Sequence, residues 1–574
     1  MGVKFRVSFP DKKEHFISVE MLFEAPCDQP ILELPSWTPG SYLIREYARH
    51  IMHFQARAEG NPVSWRKIAK NNWELDVKKG TNVQVSYRVY SFEMTVRTNY
   101  IDDYLGLING TATFFYICER EKEKRPLKKI SIELQIDPGE FHVFTSLKQQ
   151  GSSYLAKDYD ELYDSPIGLA VDEYLDLEEY TVEGIPCRLA LIGKRGNHQI
   201  SQLAEDLRRI QETSHKLFGE LPYDHYLWLL YLRESGGGGL EHKFSNVSIA
   251  PRWNFRKREK YLDVLRLESH EHFHVYNVKR IRPNAFIPYD YDKEVYTTSL
   301  WIAEGLTNYY EKKILLYSGI YSIEEYVDAI EKSINNYLGI PGRFETSLAE
   351  SSFDAWIKLY RPNENSPNSV ISYYLKGGLV GLLFDIEIRD KSEWTQSLDD
   401  VFRGLYKLYK KDPNWGYQED EFPTLVEQIT GVDVNPLYQK CVHGVDELPF
   451  SEYLEKIGIQ VKEEEIPCTN LFGIKFEPNS TKIKSILTGS PALDAGLSPG
   501  DEIVSLAGFR FSEKKAEEMI QSHEDGKKLD ITFFHDGVEI RSQIRNVQRE
   551  KRMKLLIPNG NSSAHELLTN FSSI

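Results

Sequence analysis

Over the first third of the chain, apolar residues alternate with polar ones or run together with β-branched and aromatic neighbours. The segments are ISVEMLFEA (17–25), TNVQVSYRVYSF (81–92), KISIELQI (129–136) and HVFTSL (142–147). Successive side chains on a strand point to opposite faces, so a period of two predicts strands, and the turn residues between them separate those strands. A sandwich-like, β-rich domain is expected over residues 1–175.

Near Gln199 the period lengthens. SQLAEDLRRIQETSHKLFGEL (201–221) sets Leu203, Leu207, Ile210 and Leu217 on one helical stripe. YLWLLYLRES (226–235) is apolar enough for a buried strand; Gly236–Gly239 and a second strand candidate, LEHKFSNVSIAP (240–251), follow. Helical patterns dominate residues 255–460, with breaks at Pro283, Pro341 and Pro362. The acidic run Glu463–Glu465 and Pro467 predict a linker, and short strands return over 468–550. The sequence after Met553 is polar and expected to be loose. The whole is a multidomain α+β chain: a β-rich domain over 1–175, a mixed domain with a helical region over 176–460, a small domain over 466–552 and a polar tail over 553–574.

Composition narrows the class. A chain of 574 residues suggests three or four domains, and 41% hydrophobic with 27% charged residues excludes the composition of disorder. The net charge of −16 argues against nucleic acid and anionic membranes as partners. Five scattered cysteines, Cys27, Cys118, Cys187, Cys441 and Cys468, lack metal-ligand spacing and predict free thiols in a reducing compartment. No long apolar run predicts a membrane span, and no apolar segment follows the basic residues at the start, so the chain is expected to be cytoplasmic. A signal already removed would leave no trace.

The chemistry concentrates at His270-Glu271-His272-Phe273-His274. On a helix, H-E-x-x-H sets two histidines one turn apart on one face, where both rings can reach one zinc ion, and Glu271 can reach a water beside it. His272 faces elsewhere and is not a ligand. A catalytic zinc takes three protein ligands, and Glu304 in LWIAEGLTNYYEKK is the best third: a carboxylate among Leu300, Trp301, Ala303 and Leu306 is costly unless something binds it. Asn277, three residues past His274, is a candidate to steady a ligand. The glycine run ending in Gly238-Gly239-Leu240-Glu241 lets backbone approach a ligand closely, and Glu241 is a candidate for a substrate's α-ammonium. A turn with no binding role explains that run equally well.

HEHFHVYNVKRIRP, LWIAEGLTNYY, GGLEHKFS and SWTPGSYLIREYARHI (36–51) together resemble the glycyl aminopeptidase family, a branch of the gluzincin metallopeptidases. The resemblance implies a β-rich N-terminal domain, a thermolysin-like zinc domain with a helical region and a C-terminal PDZ domain. It implies zinc on His270, His274 and Glu304, Glu271 as base, and release of N-terminal residues such as glycine or alanine. Glu241 stands where the related aminopeptidase N family has its amine-binding glutamate, followed here by His242 instead of Asn. SYYLKGG places Tyr374 in the register of that family's Y-x-K-G tyrosine, an oxyanion donor, with Tyr373 one residue away. Thirty residues separate His274 from Glu304, a longer interval than in aminopeptidase N, which favours the glycyl branch.

LTGSPALDAGLSPGDEIVSLAG (487–508) looks like a PDZ domain of bacterial protease type, with Leu471–Ile474 as the loop that would receive a peptide C-terminus. Peptides are therefore the expected substrates, and peptide C-termini candidate partners. Two rivals remain: a PDZ-guided zinc endopeptidase, and a non-enzymatic PDZ scaffold with structural zinc. The second is disfavoured because structural zinc is normally closed by four ligands.

Overall fold

The computed structural model describes residues 2–118, 130–468 and 471–557. The chain forms two compact units: residues 1–296, 310–320 and 405–418 make the first, and residues 297–309, 321–404 and 419–574 the second.

The first unit begins with the expected β-rich domain. Its largest sheet has eight strands, with Gly2–Ser8 between Ser131–Ile136, its parallel partner, and Phe16–Glu24, its antiparallel one. Ile17, Val19, Met21 and Phe23 face inward on every second position, as the period of two requires. Two four-stranded sheets contribute to the same core, in which Phe54, Trp73 and Tyr87 pack on the ring of Phe115 or on one another.

A five-stranded sheet in this unit carries Gly238, Gly239 and Glu241. Its order is Leu175–Val182, Ile185–Ile192, Tyr226–Arg233, Ser245–Pro251 and, at the edge, Gly238–Glu241. Tyr226–Arg233 lies between two parallel partners and is buried along all but its last residue, which is why its sequence is apolar without alternation. The helix Ile200–Phe218 buries Leu203, Leu207, Ile210 and Leu217 as its stripe predicts, and ends at Gly219, whose φ of 83° favours glycine.

The helix Arg258–Phe273 carries the H-E-x-x-H sequence and stops well before Pro283, earlier than the proline suggested. His274 caps it with φ −60° and ψ −18°, so one-turn spacing from His270 survives. The chain then reverses: Val278 takes φ +90° and its N–H donates to the Ile281 carbonyl at 2.8 Å. A β-branched residue at positive φ is not foreseeable from sequence.

In the second unit, Trp301–Gly305 forms a π-helical turn that runs into the α-helix Leu306–Tyr317; the division between the units falls inside this helix. Tyr373–Lys391 starts at Ser372, whose hydroxyl accepts from the Leu375 N–H. A Cβ on Gly305 would fall 2.6 Å from the Cα of Gly377, so glycine on both helices permits their close crossing. By length and composition the segment Ser366–Lys391 could span a membrane, although no such span was expected; 72% of its most apolar window is buried within the fold.

The acidic stretch expected to be a linker is a strand. Gln460–Pro467 pairs antiparallel with Arg549–Leu556 over its full length, so Glu463–Glu465 lie opposite Lys551, Arg552 and Met553. Opposite charge across the ladder explains a strand that composition disguised as a linker. Arg549–Leu556 is also fixed to the helix Ile323–Leu338: the Asn335 side chain donates to the Met553 carbonyl at 2.8 Å and accepts from its N–H at 2.9 Å. Thus the start of the predicted tail is ordered, and 558–574 lie outside the described residues. Between the two strands sits a small domain around Leu471, Ile483, Leu506, Ile520 and Phe533, with a four-stranded sheet, a two-stranded sheet and helices at Pro491–Asp494 and Glu513–Ser522. All five cysteines are free; Cys27 and Cys468 are half-buried and the other three buried.

Candidate active site

His270 and His274 leave the end of their helix with ring centroids 4.6 Å apart and planes at 83°. Each ring is oriented through Nδ1. The His274 Nδ1 lies 2.9 Å from the Asn277 backbone carbonyl, and the His270 Nδ1 lies 2.8 Å from Glu311 Oε2. A carbonyl can only accept, so the His274 proton sits on Nδ1 and leaves Nε2 with its lone pair. Ionised Glu311 imposes the same tautomer on His270. Burial alone would raise the Glu311 carboxyl, but Lys312, His270 and Arg266 outweigh it and hold the group at about 2. A ring whose Nδ1 is engaged in this way directs Nε2 outward, the orientation a divalent metal needs. The steadying contact near Asn277 comes from its backbone carbonyl, because the chain has already left the helix.

Glu271 is buried, at 4% exposure, against the edge strand: a Cβ on Gly239 would lie 2.1 Å from its Oε1. Only glycine at 239 leaves room for this carboxylate. Glu241, from the end of the same strand, is equally buried, and Glu241, Glu271 and His274 offer ligand atoms within 4.8 Å of one another. Arg97 Nη2 donates to the Gly239 carbonyl at 3.3 Å.

Gly40 explains a motif the sequence singled out without a role. In SWTPGSY it sits at φ +88°, and a Cβ there would fall 2.5 Å from Glu241 Oε2. The turn is fixed by the Trp37 Nε1–H donating to the Asp290 carbonyl at 2.7 Å and by the Ser36 N–H donating to the Tyr291 carbonyl at 2.8 Å. His242, the departure from the aminopeptidase N motif, turns away to Asp164, 3.2 Å from its Nδ1.

His272 packs away from the other two rings. Its nitrogens lie 3.1 Å from Ser214 Oγ and 2.9 Å from the Tyr223 hydroxyl, and burial pushes it down to about 3, so it stays neutral.

In the second unit, Glu304 sits in the π-helical turn at 2% exposure. Tyr374 is half-buried with its hydroxyl 3.1 Å from that of Tyr360, and burial and nearby Glu304 push it well above the ordinary tyrosine range. Tyr373 is fully buried and stacks on Tyr374 at 4.6 Å. Sequence reasoning missed Glu311, Gly40 and Tyr360. Two of them left a signal: Gly40 lies in the SWTPGSY segment, and Glu311 follows Glu304 by seven residues, the spacing of two turns of an α-helix.

Residues 4–170 match the Peptidase M61 N-terminal domain, and residues 263–380 match the M61 glycyl aminopeptidase family. The crystal structure of an aminopeptidase N family protein from Idiomarina loihiensis is similar at 28% identity and a TM-score of 0.91, covering 99% of this chain and 100% of that one. An M1 zinc metallopeptidase from Deinococcus radiodurans is 13% identical with a TM-score of 0.47, over 78% of this chain and 95% of that one. Yeast LTA4 hydrolase is 12% identical with a TM-score of 0.45, over 78% and 68% of the two chains. No curated protein matches. The N-terminal and catalytic stretches, in that order in one chain, are thus similar to those of the M61 glycyl aminopeptidases.

Proposed function

We propose that this protein is a zinc aminopeptidase that removes N-terminal residues from peptides. The observation that carries the reading is the buried pair Glu241 and Glu271 beside His274, with Gly40 closing on Glu241. One carboxylate is placed to hold a cation, the other to move a proton, and the chain at Gly40 limits what can extend beyond the first.

His270, His274 and Glu304 would hold the metal. Support comes from the Nδ1 contacts of both histidines, which leave each Nε2 to a metal, and from the burial of the Glu304 carboxylate. Bound there, zinc would polarise the scissile carbonyl and acidify a water. Glu271 takes that water's proton and delivers it to the leaving amine. Glu241 pairs with the substrate's α-ammonium, so the first peptide bond is the one presented. Tyr374 donates its phenolic hydrogen to the developing oxyanion; it fits this better than Tyr373, which is sealed in the core. Preference for glycine or alanine rests on the family likeness.

The region 466–552 is read as a PDZ domain. Phe472 and Gly473 take φ +56° and +78° in the loop that would receive a peptide C-terminus. An endopeptidase guided by that domain is the rival, and an open cleft on the Glu241 side is what it would need.

Free and N-acetylated versions of one peptide distinguish the two, with and without chelator. Loss of the cationic amine should lower kcat/KM at least about 100-fold, given about 1.5–3 kcal/mol for a charge-assisted hydrogen bond and the added bulk. Chelator should abolish both activities. Equal internal cleavage of the acetylated peptide would give the endopeptidase reading the site.

A further inference from the structure

Behind the edge strand Gly238–Glu241 lies a cavity of about 90 Å³ lined by residues with no part in the chemistry above. On this measure one water needs about 10–15 Å³, so there is room for a small polyatomic anion such as a carboxylate or phosphate group. Glu241 ends the edge strand against Gly40, and the two residues that follow it, His242 and Lys243, line this cavity.

Lys157, Lys243, Lys279 and Arg282 line the cavity beside four carboxylates; of these, Asp158 accepts the Glu161 N–H at 2.8 Å and Glu161 the Lys157 N–H at 2.6 Å. Asp164 is saturated, receiving Lys279 Nζ at 2.7 Å, His242 Nδ1 at 3.2 Å and the Lys243 N–H at 3.0 Å. Asp160 is taken by the Tyr291 hydroxyl at 2.5 Å. Among the described residues, the Arg282 Nε–H is buried without a hydrogen-bond partner. No ion pair accompanies Lys243 Nζ there either. Burial pushes the Lys243 ammonium down to about 8, with Asp164 opposing and Arg282 and Lys279 adding to the fall. Unmet donors around a space of this size carry a desolvation penalty that a bound anion would remove.

We propose that this cavity is a binding site for a small oxyanion, a carboxylate or phosphate, held by Lys243 and Arg282 and separate from the site of Glu241 and Glu271. The anion joins the connection that follows the Glu241 strand to the segment that follows His274, since Lys243 belongs to one and Arg282 to the other.

Calorimetric titration of the whole protein with inorganic phosphate, and separately with acetate, at constant ionic strength tests the site without relying on activity. One saturable site per chain is expected for at least one of the two, and comparison of the arms identifies the preferred anion. Lys243→Gln and Arg282→Gln should each weaken binding at least about tenfold, while Lys243→Arg keeps it; circular dichroism verifies folding. Absence of saturable binding for both anions overturns the proposal. So does equal binding by wild type and both glutamine variants, or displacement of the anion by a peptide substrate, which would place it in the cleft.

Discussion

Gly40 and Glu241, two hundred residues apart in sequence, are so close that a Cβ on residue 40 would overlap the carboxylate of residue 241. Gly40→Ala must therefore displace Glu241 or the turn that carries Gly40, whose φ of +88° also disfavours alanine. A misplacement of about 1 Å can cost about 10²-fold in rate. We expect a kcat/KM loss of that order on free-amine peptides and little change in the residual rate on acetylated ones. An undiminished rate on free-amine peptides would dissociate Gly40 from amine binding.

Glu271→Gln keeps shape and burial but removes the base. It should bind zinc as the wild type does and turn over about 10²–10⁴-fold more slowly. Metal analysis alongside initial rates checks both halves; near-normal turnover would leave the base elsewhere.

Glu311 touches His270 but need not touch metal. Glu311→Gln should weaken zinc retention by about 10–100-fold, as loss of a group that orients a ligand does. His270→Ala and Glu304→Ala should weaken it further. Competition with a calibrated chelator ranks the three, and equal retention by Glu304→Ala and wild type would remove Glu304 from the ligand set.

Cutting the chain after residue 465 would discard Arg549–Leu556, leaving Gln460–Pro467 without its partner and Asn335 without Met553. Excising the small domain instead, by closing residue 468 to residue 548 through a short turn, keeps the ladder; the Cys468 N–H already donates to the Gln548 carbonyl at 2.8 Å. The excised protein should remain folded and hydrolyse small aminoacyl substrates, and the truncated one should melt at a clearly lower temperature. Comparing the two Tm values and rates measures this.

Glu33 gives the β-rich domain a pH signature. Burial raises its carboxyl to about 7, against hydrogen bonds from Tyr116, Asn72 and Cys118 that favour ionisation. The unfolded value is about 4.3, so folded protein holds the proton longer; the stabilisation is complete below about 4.3 and is lost as pH rises through about 7. Between pH 5 and 7 the wild-type Tm should fall relative to that of Glu33→Gln. Parallel curves would show that Glu33 is already ionised.

What the sequence determined by itself is local. The stripe of Leu203, Leu207, Ile210 and Leu217, the unbroken apolar run of Tyr226–Arg233 and the one-turn spacing of His270 and His274 each follow from the period of a single element. The β-rich start and the H-E-x-x-H helix were legible for that reason. Tertiary structure decided what depends on distant partners. Glu463–Glu465 became a strand because basic residues far along the chain pair with it. The helix stopped at Phe273 because the fold reverses at Val278. Gly40 acquired a role only when the turn fixed by Asp290 and Tyr291 brought it against Glu241. Local pattern records the face an element must bury, whereas the identity of the neighbour it meets is set by packing across hundreds of residues, where no periodicity reaches.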